Sequence, residues 1–343
     1  MTKLALRRGT VVSVGEPGPA TRIEVDVAGE QRPAVAYVEL TGSVAPGDDV
    51  VVNVAARDLG LGSGGFDVVH VNLTRGLDGE GDPGAHVMKL NYASVQHAVV
   101  PVEEGAPPRQ SGDVAGKPVA VVALHGQLPC VAWQAAEDAP GKRLGYVQTW
   151  GGALPGSLSD VVRELLAREL LAGHITAGAA HGGRHEAISV AGAIHAGLTG
   201  LGWDAAIVGP GPGIVGSATA FGHGGMAALE STHAALALGC RPVFVPRMSS
   251  GDPRPRHRDL SHHSATVLGL LLRPVDVAVP EELHLPGDHR SRARAVDLDG
   301  YRASGLPAHT MGRGIDQDEL FFRAALAGGA VLAEGLNDVR EGG

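Results

Sequence analysis

The first hundred residues alternate apolar and polar positions along short stretches that are rich in valine. A period of two predicts strands that bury one face. Glycine, proline and aspartate separate the stretches, as expected of turns. Five such strands so close together predict a small β-barrel-like domain. The predicted strands are residues 9–14, 22–27, 34–40, 49–55 and 66–73.

From residue 118 onward, short apolar runs alternate with stretches whose apolar residues recur at helical spacing. This alternation predicts an α/β fold with a mostly parallel, Rossmann-like layered sheet. Ser157 and Ser261 stand where two of the helices would begin, and serine is a favoured N-cap. The predicted strands are residues 119–124, 144–148, 174–177, 205–208, 242–245 and 275–279, and the predicted helices are residues 157–171, 186–198, 225–238, 261–272 and a last one ending near residue 327.

The two patterns divide the chain into a β-barrel-like domain at residues 1–104, a linker at 105–117 and an α/β domain at 118–343. The α/β domain is predicted to end in a polar extension followed by a helix. The linker holds three glycines and two prolines among polar residues, a composition typical of loops. We expect the small domain to serve structure or a homo-oligomer interface. Its few aromatic residues argue against stacking on nucleic-acid bases.

Composition excludes several classes of protein. Apolar residues make up 44% and charged residues 19% of the 343 positions, as in a globular chain. The formal charge of −9 argues against a general nucleic-acid binder. No apolar run approaches the ~20 residues of a membrane span, so no membrane partner is expected. Cys130 and Cys240 are too few for a disulfide framework, and a reducing cytoplasm is the expected location.

Histidine is the residue type that most clearly suggests a functional site in this chain. The chain has 16 histidines, and ten of them lie between His125 and His263. Histidine titrates near neutrality and is the commonest metal ligand. Polar loops follow the predicted strands, and ligands bind at the carboxyl ends of the strands in an open α/β sheet. We therefore expect one pocket lined by His125, Thr149, Gly213, Asp252 and His257.

A glycine-rich loop follows the strand at 205–208 and matches Gly-x-Gly-x-x-Gly. Pro212 removes a backbone donor there, and later glycines delay the helix, which argues against NAD as a cofactor. Two interpretations remain: a tight structural turn, or an anion-binding loop with free amides near its end. The ligand-binding candidates in this loop are Gly211, Gly213, Gly216, Ser217 and Thr219.

Residues 247–263 contain four arginines and three histidines. Arginine forks suit phosphate or carboxylate oxygens, and we expect Arg254 and Arg256 to bind an anion with Ser261 nearby. His257 and His263 are candidate acid–base groups or metal ligands. His262 is a metal candidate. Adjacent helical residues diverge by ~100°, which allows one of the pair to point inward and the other outward. The alternative is a solvated basic loop.

A second histidine pair, His181 and His185, precedes Glu186. Residues four apart share a helix face, as paired metal ligands do. Two glycines between them make a helix doubtful. A divalent metal is therefore an open alternative here, with Glu186 or Asp252 orienting a histidine or the metal.

Several segments together resemble a bacterial family that is known only as a domain of unknown function. The resemblance spans about residues 8–268 and implies a cytoplasmic protein of two parts, with no established activity. The segments that carry it are residues 59–65, 87–90, 124–129, 152–155, 211–219, 256–258 and 261–264.

These residues favour an enzyme, a hydrolase or group transferase, that acts on a small anionic, phosphorylated or nucleotide-like ligand. The weak dinucleotide signature disfavours redox chemistry. The alternative is a non-catalytic ligand sensor or interaction module that uses the same pocket. The catalytic candidates are His125, His257, His263, Asp252 and Glu186.

Overall fold

The computed structural model describes residues 3–61, 64–107 and 113–341. The chain forms two compact units, Met1–Val100 and Pro101–Gly343. Part of the predicted linker, residues 108–112, lies outside the described residues, as do residues 62 and 63 of the segment at 59–65. The three-part division at residues 104 and 117 therefore stays a prediction.

The first unit contains a closed barrel of five strands in the order β1-β2-β3-β5-β4, which confirms the predicted barrel-like domain. Alternate valines fill its interior, as the period of two requires. The strand predicted at 34–40 ends at Tyr37, because a helical turn follows in which Thr41 Oγ1 donates to the Tyr37 carbonyl. The elements are β1 Leu6–Val14, β2 Ala20–Val27, β3 Glu30–Tyr37, α1 Val38–Thr41, β4 Asp49–Asn53, α2 Ala55–Asp58, β5 Asp67–Asn72, and a hairpin of β6 Val87–Lys89 and β7 His97–Val99.

The second unit is built on a parallel sheet of eight strands, which confirms the Rossmann-like α/β fold. The strand order is β11-β10-β9-β12-β8-β13-β16-β17. Both faces are apolar because both are covered by helices. The strands are β8 Pro118–Val122, β9 Leu144–Thr149, β10 Gly173–Ala177, β11 His185–Ala187, β12 Ala205–Pro210, β13 Arg241–Val245, β14 Met248–Ser249, β15 Asp259–Leu260, β16 Asp276–Pro280, β17 Arg290–Arg294, β18 His309–Thr310 and β19 Arg313–Gly314.

The helices divide between the two faces of this sheet. Residues of α3, α4, α8 and α9 pack in the core on one face, and residues of α5, α6 and α7 pack in the core on the other. No helix among residues 3–61, 64–107 and 113–341 combines the length and apolar character needed to span a membrane. The helices are α3 Leu128–Asp138, α4 Asp160–Ala167, α5 Val190–Thr199, α6 Ala227–Ala237, α7 His262–Leu270, α8 Leu298–Ala303 and α9 Glu319–Glu341.

The last helix, α9, is much longer than predicted. The prediction ended it near residue 327, just before two glycines, but the helix continues through them to Glu341. A Cβ atom at Gly328 would lie 2.6 Å from a Val245 methyl, and one at Gly329 would lie 2.6 Å from the Val131 carbonyl oxygen. The glycines therefore permit close packing of α9 on β13 and α3, where a helix stop was expected.

Two other helix starts also differ from prediction. Ser159, and not Ser157, caps α4, because its side chain accepts a hydrogen bond from the Val162 amide. The helix predicted at 186–198 begins only at Val190, after the cap residue Ser189. Glu186 lies in the edge strand β11, so its carboxylate faces strand neighbours.

Candidate functional site

Three adjacent strands, β12, β8 and β13, present their carboxyl ends side by side. The chain leaves β8 toward α3 on one face of the sheet and leaves β12 toward α6 on the other. Divergence of this kind opens a crevice at the strand ends, where ligands bind in open α/β sheets. The loops after β12 and β13 leave from this edge of the sheet.

A buried carboxylate holds the loop after β13. Asp252 is fully buried and pairs with Arg247 and Arg254 at 2.9 Å and with Arg313 at 3.4 Å. Hydrogen bonds from Arg254, with the charges of the other arginines, keep the pKa of Asp252 well below its usual range. Among the described residues, no histidine is hydrogen-bonded to Asp252, so this carboxylate orients arginines and the loop that carries them.

Asp318, just before α9, anchors the same loop and was missed by the sequence analysis. Its carboxylate accepts hydrogen bonds from the Ser249 hydroxyl, from the Ser250 and Gly251 amides and from Arg313. Nothing in the sequence marks this residue, because its partners lie almost seventy residues earlier in the chain.

Ser261 joins the loop to helix α7. It caps the helix, as predicted, by accepting a hydrogen bond from the His263 amide at 3.3 Å. The same hydroxyl lies 2.8 Å from Nδ1 of His257. One serine therefore fixes the first turn of α7 and the orientation of the His257 ring.

His257, His262 and His263 lie together at the start of α7. Their ring centroids are 4.4 Å apart for the adjacent pair and 4.9 Å apart for His257 with either of the two. Both rings of the adjacent pair meet His257, although neighbouring helical side chains diverge. The turn that carries His257 folds back against the helix start, so it meets both rings.

A fourth histidine, His223, reaches this group from the glycine-rich loop after β12. Its ring stacks on that of His263 with centroids 3.7 Å apart and an angle of 11°. The sequence analysis missed it, although His223-Gly224-Gly225 repeats the His-Gly-Gly pattern that was noticed at residues 181–183. The two loops that were predicted to share a site do meet. We call His223, His257, His262 and His263 the histidine cluster.

Burial keeps these imidazoles neutral. Desolvation is the largest cause of a pKa of about 3 at His257 and about 2 at His263, and the positive charge of Arg247 adds to both shifts. Three ring nitrogens of the cluster are buried without a hydrogen-bond partner among the described residues: Nδ1 of His223, Nε2 of His262 and Nδ1 of His263. Such atoms are rare in folded proteins and call for an explanation.

The glycine-rich loop differs from the predicted anion cradle. The Ser217 amide donates to the Gly222 carbonyl at 2.7 Å, and the Thr219 amide donates to the Ser217 hydroxyl at 3.2 Å. The expectation of free amides at these two residues is therefore wrong, because the loop closes on itself. Helix α6 begins only at Ala227, far beyond the glycine motif.

The motif glycines have separate surroundings. Gly213 is exposed and has a φ of +71°, which favours glycine. Gly211 is buried, and a Cβ there would lie 2.2 Å from the Ala153 carbonyl oxygen. Gly216 bridges to His223 and borders the His263 ring. Only the last of them touches the histidine cluster.

Two arginines near the histidine cluster differ in whether their charge is already paired. Arg254 binds Asp252 through both its Nε and Nη2 atoms, so its charge is largely neutralised. Arg256 is exposed and has no ion-pair partner in the part of the chain that the structure describes. Its positive charge is one cause of the lowered pKa of His262, after burial and His223. Arg256 is therefore available to an incoming anion.

His125 follows β8 at the same sheet edge but has its own partners. Its Nε2 lies 2.7 Å from the Ser159 hydroxyl, and its Nδ1 lies 3.2 Å from the Pro210 carbonyl oxygen. Burial lowers its pKa to about 4. Thr149 is also buried and donates to the Trp150 carbonyl. In the described parts of the chain, neither residue forms a hydrogen bond or a ring contact with the histidine cluster.

His181, His185 and Glu186 lie at the far end of the sheet, on the loop after β10 and on β11. The Glu186 carboxylate accepts from the Gly182 amide at 2.6 Å and from the Thr176 hydroxyl at 2.8 Å, which fastens the turn between the strands. The described residues contain one group of three metal-ligand side chains with ligand atoms within 4.8 Å, and it is His257, His262 and His263. Of the three predicted metal candidates, His262 therefore belongs to this group, whereas His181 and His185 lie elsewhere on the sheet.

Fold and site together define an α/β protein with a cluster of histidines at the carboxyl edge of a Rossmann-like sheet. A family model described as "Protein of unknown function (DUF3866)" matches residues 33–329, and the chain belongs to this family. The match confirms the resemblance seen in the sequence. No curated protein and no solved structure matches the chain.

Proposed function

We propose that the protein is an enzyme, a hydrolase or group transferase, that acts on a small anionic ligand bound over the histidine cluster. The observation that carries the proposal is the meeting of the loops after β12 and β13, where His223 stacks on His263. This contact brings neutral imidazoles and the unpaired charge of Arg256 to one end of the sheet.

The chemistry of these side chains suits the transfer of a phosphoryl or acyl group to water or to a hydroxyl. A bound anion would raise the pKa of a neighbouring imidazole from its low value in the free protein. That imidazole could then accept a proton as the oxygen attacks and return a proton to the leaving oxygen. The bond to the leaving oxygen breaks as the new bond forms, so no oxidant or reductant is needed. An arginine fork binds two oxygens of a phosphate or carboxylate. A phosphorylated or nucleotide-like substrate fits this combination.

Inorganic phosphate is the probe that tests anion binding. A ligand that binds only the folded state stabilises it by RT ln(1 + [L]/Kd), about 2.7 kcal/mol at a hundredfold excess over Kd. We expect phosphate to raise the unfolding temperature of the protein, and to do so less as chloride rises, because salt screens exposed charges. Arg256→Ala should lose most of this stabilisation.

Arg273→Ala is the matched control, because Arg273 is an exposed arginine just beyond the other end of α7. It should keep the full response to phosphate. Equal responses of wild type and Arg256→Ala would overturn the anion site. Phosphate-ester substrates such as p-nitrophenyl phosphate then test catalysis. Binding without turnover of any ester would favour the ligand sensor over the enzyme.

A cytoplasmic location fits this proposal. Cys130 lies in the core on one face of the sheet and Cys240 in the core on the other, and both are free thiols. Two buried thiols with no mutual contact suit a reducing compartment.

A further inference from the structure

The three imidazoles of His257, His262 and His263 converge on a common point. One ring nitrogen from each lies within 4.8 Å of the others. The nitrogens of a tetrahedral zinc site lie about 3.3 Å apart, given Zn–N bonds of ~2.0–2.1 Å. Small rotations of the three side chains therefore suffice to bring the nitrogens to coordination distance.

The unpartnered nitrogens are an independent sign of a missing partner. His223 and His263 are only 5% and 6% exposed, yet each keeps an Nδ1 atom without a hydrogen bond, and so does His262 at its Nε2. A buried polar atom without a partner costs about 1–3 kcal/mol. Three such atoms in contacting rings indicate a ligand that accepts several lone pairs at once, which a cation does.

The other nitrogen of two rings is fixed as metal sites require. Nδ1 of His257 is held by the Ser261 hydroxyl at 2.8 Å, which leaves Nε2 for a metal. Nε2 of His223 donates to the Ala220 carbonyl at 2.9 Å, which leaves the lone pair on Nδ1. Metal-bound histidines almost always have such an outer partner, because it sets the tautomer and the ring orientation.

The fold holds the ligands rigidly. His262 and His263 lie in the first turn of α7, where the Ser261 cap fixes the backbone. The Arg247 amide donates to the Ser264 hydroxyl at 2.8 Å, which ties the helix start to the end of β13. Because the backbone is fixed before a metal arrives, little ordering is needed on binding.

We propose that His257, His262 and His263 form a binding site for a divalent transition-metal ion of the zinc type, with its fourth position open toward Arg256 and the glycine-rich loop. Nitrogen ligands without a carboxylate select zinc-like ions over Mg²⁺ and Ca²⁺, which prefer oxygen. Three protein ligands with an open position are the arrangement of catalytic zinc sites.

His223 gives the site its link to the glycine-rich loop. Its ring stacks on that of His263, and its Nδ1 has no hydrogen-bond partner among the described residues. The inference deepens the proposed function, because a metal ion at the site would also attract the anion, and His223, which lies outside the ligand set, would remain as the imidazole for proton transfer.

The test uses untagged protein, because a histidine tag binds the same metals. After removal of metals with a chelator, we expect one Zn²⁺ or Co²⁺ per chain by calorimetry and elemental analysis. Bound Co²⁺ should show the intense visible absorption of a tetrahedral ion. A large excess of Mg²⁺ should not displace it. A stripped wild-type protein that takes up neither ion would overturn the proposal.

His262→Gln is the main variant, because His262 is only partly buried. Loss of an outer-shell partner weakens metal binding 10–100-fold, so loss of a direct ligand should raise Kd by more than about 100-fold. His309→Gln, at an exposed histidine elsewhere in the same unit, is the control and should bind like wild type. Equal affinity of His262→Gln and wild type would place the metal elsewhere and overturn the site.

If the variant does not fold, X-ray absorption of the zinc-loaded wild type decides. Three imidazole ligands are expected, and one or none contradicts the proposal. The metal measurements contain no phosphate, and the phosphate measurements rest on Arg256. Zinc binding without a phosphate response would leave this inference standing and remove the proposed function, and the reverse result would do the opposite.

Discussion

Two buried histidines at the same edge of the sheet, His125 and His263, differ in the partners of their rings. They are 7% and 6% exposed, and burial lowers the pKa of both, to about 4 and about 2. Both ring nitrogens of His125 have partners, whereas Nδ1 of His263 has none among the described residues and three other imidazoles surround its ring. Burial and a low pKa therefore do not distinguish a binding site from a structural histidine. The proposed metal site rests instead on convergent ligand atoms together with unpaired ring nitrogens.

His174 shows that one unpaired nitrogen is not enough. Its Nε2 is buried without a partner, and its ring stacks on Tyr146 at 5.3 Å. Its position in β10 leaves it outside the group of histidines whose ligand atoms converge. Convergence of several donors is what makes the histidine cluster a candidate metal site.

The largest expected effect on the free energy of unfolding is that of replacing Asp252, the carboxylate that holds the loop after β13. Asp252→Ala leaves the guanidinium of Arg247, itself almost fully buried, without its partner. Removing one member of a buried pair costs about 3–5 kcal/mol, because the other charge stays buried and uncompensated. We expect the free energy of unfolding in urea to fall by that amount, with loss of metal binding, since the loop after β13 is released.

The control for this variant is Asp299→Ala. Asp299 is exposed and pairs with Arg302 on the surface of α8. Exposed pairs contribute about 0–1 kcal/mol. Similar losses in both variants would mean that Asp252 does not support the loop, and that the position of the histidine cluster has another cause.

Much of this fold could be predicted from the order of apolar and polar residues. The five barrel strands and the alternation of strands and helices appear in the sequence because one face of each element is buried. The ends of the helices were harder to predict from the sequence. Gly328 and Gly329 resemble a helix stop, and only the contacts with Val245 and Val131 show that they permit close packing.

The site could be predicted in part. The residue types and the two loops were identified, because a cluster of histidines and arginines after a strand is visible in one dimension. The pairing of His223 with His263 was not, since forty residues separate them. Glu186 and His125 were indistinguishable from ligands until their partners, Thr176 and Ser159, were seen.

A second prediction concerns acid. The pKa of a histidine in the unfolded chain is ~6.5. In the folded protein, burial lowers the pKa of His125 to about 4. Between these values the unfolded chain binds a proton here and the folded chain does not, so stability falls as pH falls from 6.5 to 4. The groups that face His125 are Tyr146 and His174, and neither carries a negative charge that would oppose this.

His125→Gln should remove about 3 kcal/mol of this pH dependence, because 2.5 pH units correspond to that free energy. Urea unfolding at several pH values between 4 and 7 measures it. The variant should be less stable than wild type at pH 7 and lose less on acidification. An unchanged slope would show that His125 is protonated in the folded protein and that its partners do not hold it neutral.

The smallest effect separates the two histidines most directly. In metal-free protein, His262→Gln removes a ring whose buried Nε2 has no partner, so we expect the free energy of unfolding at pH 7 to change by less than ~1 kcal/mol. His125→Gln loses the hydrogen bond to Ser159 and leaves the cap of α4 altered, which should cost about 1–2 kcal/mol. With zinc added, the order should reverse, because His125→Gln keeps the metal's stabilisation and His262→Gln loses it. If zinc stabilised both variants equally, the two histidines would be equivalent, and unpaired nitrogens would not mark the site.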